Sequence, residues 1–180
     1  NAQLVLAGIP DSSKVSPIAL SLRTVTAIRL AAFRRSVGAA EIMAKQPILP
    51  DYQAERFYWL GQTYERTRQP AKARKAYRQA IQLAPLNARM ATTFAQFEQQ
   101  QKQTRQAYSL VLTALPYNED NAELLKTYVS LCLDMSLFDY ARNGLEKLRT
   151  AANPTDYQAF LRTYQEKLAS IENSRQKFLQ

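Results

Sequence analysis

The sequence predicts an all-α protein made of repeated helical hairpins, on three observations. Its 180 residues hold 26 Ala, 22 Leu and 17 Gln but only four Gly and eight Pro, a composition suited to helices and too poor in turn formers for a β-sandwich. Apolar residues recur at helical spacing: Phe57, Leu60, Gly61 and Tyr64 share one stripe, and Ala73, Tyr77, Ala80 and Ile81 share another, so two amphipathic helices face each other. The pattern returns at a step of 34 residues, from Ala54 to Ala88 and on to Ala122.

The unit 54–87 is the most regular. Arg68, Gln69 and Pro70 break its two helices, with Pro70 suited to a first turn, where its missing N–H costs nothing. Gly61 lets the second helix approach closely, and the small Ala73 and Ala80 make the reciprocal allowance. A large aromatic, Leu-Gly, Tyr, Ala, aromatic, Ala and Pro stand in order at Phe57, Leu60, Gly61, Tyr64, Ala73, Tyr77, Ala80 and Pro85. In types and spacing this resembles the tetratricopeptide repeat family. The resemblance implies a right-handed solenoid of stacked helical hairpins, because one pair alone cannot bury its apolar face.

Stepping along the chain in that register justifies the remaining elements. Residues 1–19 read as a partial repeat helix with Leu4, Leu6 and Ile9, followed by a Pro10-Asp-Ser-Ser13 linker. Residues 20–53 form a divergent repeat: Ala27, Leu30, Ala39 and Met43 fall on core positions, Ser36-Val-Gly38 is expected to turn, and Pro47 and Pro50 are expected to close the unit. Residues 88–121 continue with Phe94, Ala95, Ala107, Val111 and Ala114, but Pro116 comes three residues early, which predicts a shortened second helix or an altered connection. In 122–155 the core is Leu125, Tyr128, Cys132, Ala141, Leu145 and Leu148, with Val129 in the small-residue position and Pro154 ending the unit. Thr155-Asp-Tyr-Gln158 has the form of a capping box, opening a capping helix over 156–180. In that helix Phe160, Leu161, Tyr164 and Leu168 face inward, and Glu166, Glu172, Arg175 and Lys177 make a polar outer side.

The chemistry open to such a chain is narrow. Without any histidine, a His-based triad, a His general base and a His-ligated zinc site are excluded, and one cysteine, Cys132, excludes an internal disulfide. Cys132 sits at a core position with no base beside it, which reads as a structural thiol. Glu119, Asp120, Glu55 and Glu65 lie at turns or on polar faces without the apolar pocket that acid-base work requires. The expectation is no enzyme, no cofactor and no metal. No apolar run approaches the roughly 20 residues that span a bilayer, so no membrane insertion is expected of this segment. A single buried thiol is compatible with cytoplasm, periplasm or lumen.

Function then falls to surfaces. The resemblance implies a protein-interaction scaffold that holds a partner peptide or domain in a concave groove lined by first helices. Its groove positions correspond to Glu55, Tyr58, Gln62, Glu65 and Arg66; to Arg89, Thr92, Gln96, Gln99 and Gln100; and to Glu123, Lys126, Ser130, Leu133 and Asp134. In the divergent unit they are Ser21, Thr24, Ile28, Ala31 and Ala32. The expected contact set is Tyr58, Gln62, Arg66, Arg89, Gln96, Gln100, Lys126 and Ser130. The Lys and Asn clamp by which some members hold a C-terminal carboxylate is matched at Lys126 alone, since Gln62, Gln96 and Ser130 replace its asparagines. Tyr58, Tyr157 and Tyr164 are candidate anchors for a partner side chain, with packing as their other reading.

Charge adds a second suggestion. Residues 1–90 carry 14 basic and 5 acidic side chains, while 91–180 carry 10 of each, so the whole +9 lies in the first half. Arg66, Arg68, Lys72, Arg74, Lys75 and Arg78, with Arg23, Arg29, Arg34 and Arg35, could present a positive surface to an acidic partner; a solvated face is the plainer reading of the same run. Nucleic acid fits less well, for want of interleaved exposed aromatics. A further alternative is a spacer or self-assembly module, in which Leu4, Leu6 and Ile9 of the N-terminal half-repeat pair with another copy.

Overall fold

The computed structural model describes residues 37–45 and 50–178. The N-terminal half-repeat, the first helix expected over 20–35 with its groove positions, and Arg23, Arg29, Arg34 and Arg35 lie outside them. Among the described residues there are eight α-helices, one 3-10 turn and no strand. The helices are α1 (Val37–Lys45), α2 (Pro50–Arg66), α3 (Pro70–Leu83), α4 (Ala88–Gln100), α5 (Thr104–Ala114), α6 (Ala122–Asp134), α7 (Phe138–Ala151) and α8 (Pro154–Phe178). The chain divides into two compact units, residues 1–85 and 86–180.

In the first unit α2 packs on α1 and pairs with α3. Ala39 and Met43 of α1 are fully buried and meet Ile42 and Trp59. Two expectations are corrected here. Val37 and Gly38 belong to the first turn of α1, not to an inter-helix turn, and Pro50 opens α2 where it was expected to close the preceding unit. The reason is the same property that suits Pro70 to its place, since a first-turn residue has no intrahelical use for its N–H.

In the second unit the hairpins α4/α5 and α6/α7 stack through α6, and α8 lies on α6 and α7. The early Pro116 has its expected consequence: α5 stops at Ala114 after 11 residues, against 14 in α3, and Leu115–Tyr117 turn as a 3-10 segment. Phe160, Leu161, Tyr164 and Leu168 are half-buried on α8, and the Tyr164 ring lies 6.1 Å from that of Phe138, whereas Glu166 and Glu172 are exposed.

Helix α8 is not capped as expected. It starts at Pro154, and the Asn153 side chain accepts from the Asp156 N–H at 2.9 Å, so the Thr155-Gln158 box is not formed. Asn87 accepts from the Met90 N–H at 3.1 Å, and Asn121 from the Leu124 N–H at 3.0 Å, in the same way. Asparagine is among the best N-caps because its short side-chain oxygen reaches the free N–H groups of the first turn. The 34-residue step from Asn87 to Asn121 was a legible sign of this.

The inter-helix turns share a second device. Arg68, Lys102 and Ser136, again 34 apart, have φ of 59, 60 and 58°. Each is followed by a closing bond: Gln69 N–H to Tyr64 O at 2.9 Å, Gln103 N–H to Glu98 O at 2.8 Å, and Leu137 N–H to Cys132 O at 2.8 Å. These are Schellman-type ends, built with residues other than glycine.

Candidate partner-binding face

The first helices of the second unit lie side by side and are cross-linked by polar side chains. Gln96 donates to Thr127 at 3.2 Å and Gln99 to Ser130 at 3.0 Å, joining α4 to α6. Gln99 also donates to Asp134 at 2.6 Å, and Lys167 of α8 reaches the other oxygen of that carboxylate at 3.1 Å. Lys126 donates to Asp156 on α8 at 2.9 Å and pairs with Glu123 at 2.5 Å. The ladder follows from sequence: residues about one repeat apart occupy matching places on neighbouring helices.

Two cavities of about 280 Å³ open on this face. Arg89, Thr92, Thr93, Gln96, Asn121 and Glu123 line one, and Gln96, Gln99, Glu123, Lys126, Thr127, Ser130 and Phe160 the other. They are contiguous through Gln96 and Glu123. Four of the expected contact residues, Arg89, Gln96, Lys126 and Ser130, are thus brought together, while Gln100 is exposed at the end of α4 and lines neither. Phe160, the aromatic in this polar lining, was expected to face only the last repeat.

Charge on this face is largely self-neutralised. Bonds to Glu123 and then Asp156 raise the Lys126 pKa, and the Lys126 hydrogen bond holds the Asp156 carboxyl below its usual range. An ammonium group already held by two carboxylates is a poor receptor for a third, which tells further against a carboxylate clamp.

Three groove positions expected to be exposed are buried. Tyr58 is 4% exposed, its ring 5.4 Å from Trp59 and 6.3 Å from Tyr77, and its hydroxyl accepts from Gln62 at 2.7 Å. Thr92 and Leu133 are buried as well. A large or apolar side chain on a first helix is covered by its neighbours whenever they come within reach, and helical period alone does not say where that happens. For Tyr58 the packing reading prevails. Gln62 and Glu55 are half-buried, and Arg66 is exposed. Tyr157 and Tyr164 are both half-buried.

Cys132 is fully buried and hydrogen-bonds with the side chains of Tyr128 and Tyr108, whose rings stack with centres 5.9 Å apart. Burial pushes its thiol up from 9.0 to about 11. Because the folded value is the higher, the stabilisation due to the neutral thiol is complete below pH 9 and is lost as pH rises towards 11. The expected result is a thiol inert to a disulfide dye at pH 8 in the folded chain and reactive once guanidinium unfolds it. Stability should decline between about pH 9 and 11 in the parent and less so in Cys132→Ala. Rapid labelling of the folded chain at pH 8 would contradict this placement. Among the described residues there is no group of three His, Cys, Asp or Glu side chains that could hold a metal, and no helix is long and apolar enough to cross a membrane.

Comparison with known proteins agrees with this architecture. Residues 54–87 match the family model of the tetratricopeptide repeat. No curated protein sequence matches the chain. Among solved structures it is similar to TTC0263, described as a thermophilic TPR protein of Thermus thermophilus, at 17% identity over 93% of this chain and 89% of that one, with a TM-score of 0.63. MamA is similar at 14% identity over 93% and 87%, with a TM-score of 0.66. BtubC (BKLC) from P. vanneervenii is similar at 15% identity over 97% and 87%, with a TM-score of 0.65. At such identities the likeness is one of fold. Residues 54–87 are a tetratricopeptide repeat, and the fold is the helical-hairpin solenoid of such repeats.

Proposed function

We propose that this tetratricopeptide-repeat chain is a non-enzymatic protein-interaction scaffold, and that its second unit holds a partner peptide along the first-helix face of α4 and α6. One observation supports the reading above others: two contiguous cavities on that face share Gln96 and Glu123 and are lined by amide and hydroxyl groups together with the charged Arg89, Glu123 and Lys126. Such groups donate to and accept from a peptide backbone, and Phe160 offers an apolar contact at the same cavity. With Lys126 neutralised by Glu123 and Asp156, the preferred segment is polar and uncharged. Repeat solenoids commonly present extended binding surfaces of this kind, and their chemistry is recognition.

The test is selection of phage-displayed peptides on the immobilised chain, with affinities of the recovered peptides then measured against the variant Gln96→Ala combined with Gln99→Ala. Loss of two amide side chains from this face is expected to weaken binding about tenfold, equivalent to about 1.4 kcal/mol. Peptides that bind parent and variant equally would move the site off this face.

A further inference from the structure

The first unit holds a larger trough that the proposed peptide face does not involve. It lies between α1 and α3 over α2 and has a volume of about 710 Å³. Gln53, Phe57, Leu60 and Tyr64 of α2 line it along one helical stripe, spanning about 16 Å at the rise of an α-helix. Its rim is basic: Lys45 at the end of α1, and Lys72 and Lys75 on α3, all exposed. Among the described residues no carboxylate pairs with any of the three ammonium groups, whereas Lys126, Arg142, Lys147, Arg162 and Lys167 of the second unit all do. Glu41 is the one acid among the described residues of the lining, and it accepts a hydrogen bond from the Tyr64 hydroxyl at 2.5 Å. Lys72 lies 5.3 Å from the Tyr64 ring centre.

We infer that this trough is a docking site for an acidic peptide segment of a partner protein that carries an apolar anchor residue. The rim supplies three positive charges that no carboxylate pairs with among the described residues, and the half-buried Phe57 with Leu60 supplies an apolar floor for one side chain. A stretch of about 16 Å is covered by about five residues of extended chain at roughly 3.3 Å each. A nucleic acid suits the trough less well. The Tyr64 ring is already engaged by Lys72 and is not a free stacking platform for a base. The spacing of Lys72 and Lys75 on one side of α3 is therefore put to use as well as solvated.

The experiment is fluorescence anisotropy on the full chain with a labelled ten-residue probe of Asp and Glu around one central phenylalanine. Saturable binding that weakens with added salt is expected. Serine in place of the phenylalanine should weaken it by at least about tenfold, the contribution of one well-buried apolar side chain. Lys45→Glu with Lys75→Glu should abolish it while the helical circular dichroism and melting temperature stay at the parent values, since both side chains are exposed. Gln96→Ala with Gln99→Ala should leave it intact, so that failure here and failure of the peptide face are told apart. Three results would each overturn the inference: no binding of the probe, equal binding to the lysine variant, or displacement by a ten-nucleotide uridine RNA at concentrations at or below that of the unlabelled peptide. Parent self-association abolished by the lysine variant would overturn it too, by making a second copy the occupant.

Discussion

Gly61→Val is expected to destabilise the protein by about 2–3 kcal/mol, the upper part of the roughly 1–3 kcal/mol usual for overpacking a tight core contact. A Cβ at this position would lie 2.5 and 2.6 Å from Cδ1 and Cε1 of Tyr77 and 3.0 Å from its Cγ. The Tyr77 ring cannot easily yield. It is 1% exposed, and its hydroxyl donates to Glu65 at 2.5 Å, so both ends of the side chain are held. Valine gains less than about 1 kcal/mol of helix propensity over glycine, too little to offset the clash. The third hairpin indicates how such a clash is relieved. There Val129 stands where Gly61 does and Leu145 where Tyr77 does, and the missing side chain has moved to Gly144, whose Cβ would meet Val129 Cγ2 at 2.8 Å and Tyr128 Cδ1 at 2.9 Å. Tyr77→Leu should therefore restore part of the loss, with a coupling of about 1 kcal/mol in a double-mutant cycle read from guanidinium midpoints. A Gly61→Val midpoint equal to that of the parent would refute the close-approach account.

The larger loss is expected from Phe97→Ala, at about 3–5 kcal/mol. Phe97 is 2% exposed on α4, the helix that packs on both α5 and α6, and its ring lies 6.4 Å from that of Phe94. Truncation removes apolar burial and leaves a cavity between helices whose backbones are fixed by other contacts. Against a typical total stability of about 5–15 kcal/mol this is a large share. Phe97→Leu should cost under about 1.5 kcal/mol because most of the volume is kept. Gln100→Ala, exposed one turn away, should change stability by no more than about 0.5 kcal/mol. The urea midpoints of the three variants check this order, and a Phe97→Ala loss no larger than that of Gln100→Ala would remove Phe97 from the core.

Much of this fold was legible because helices and repeats write their periods into the chain. The stripe through Phe57, Leu60 and Tyr64 set the phase of α2, and the reason given for Gly61 is the contact found with Tyr77. The early Pro116 foretold the short α5. Other features were written just as openly but are carried by single residues at element ends: the capping asparagines at 87, 121 and 153, and the left-handed turn residues at 68, 102 and 136. The 34-residue step from Asn87 to Asn121, and through Arg68, Lys102 and Ser136, was the signal; Asn153 lies 32 residues after Asn121. Pro50 and Pro154 open helices where a terminator was expected, because proline bounds a helix at either end and sequence alone does not say on which side the helix lies.

The candidate faces were less legible. Gln96, Lys126 and Ser130 were placed on one face by register alone, yet nothing in the register showed that Lys126 would be claimed by Asp156, 30 residues on. Nor did it show that Tyr58, Thr92 and Leu133 would be covered. By itself the sequence determined the helix class, the 34-residue phase and the apolar stripes, because these depend on spacing within one helix or one hairpin. Tertiary structure alone decided which polar residues stay exposed, which charges are neutralised and where the troughs open. Those properties depend on the distance between side chains of neighbouring helices, which is fixed only once the helices have packed.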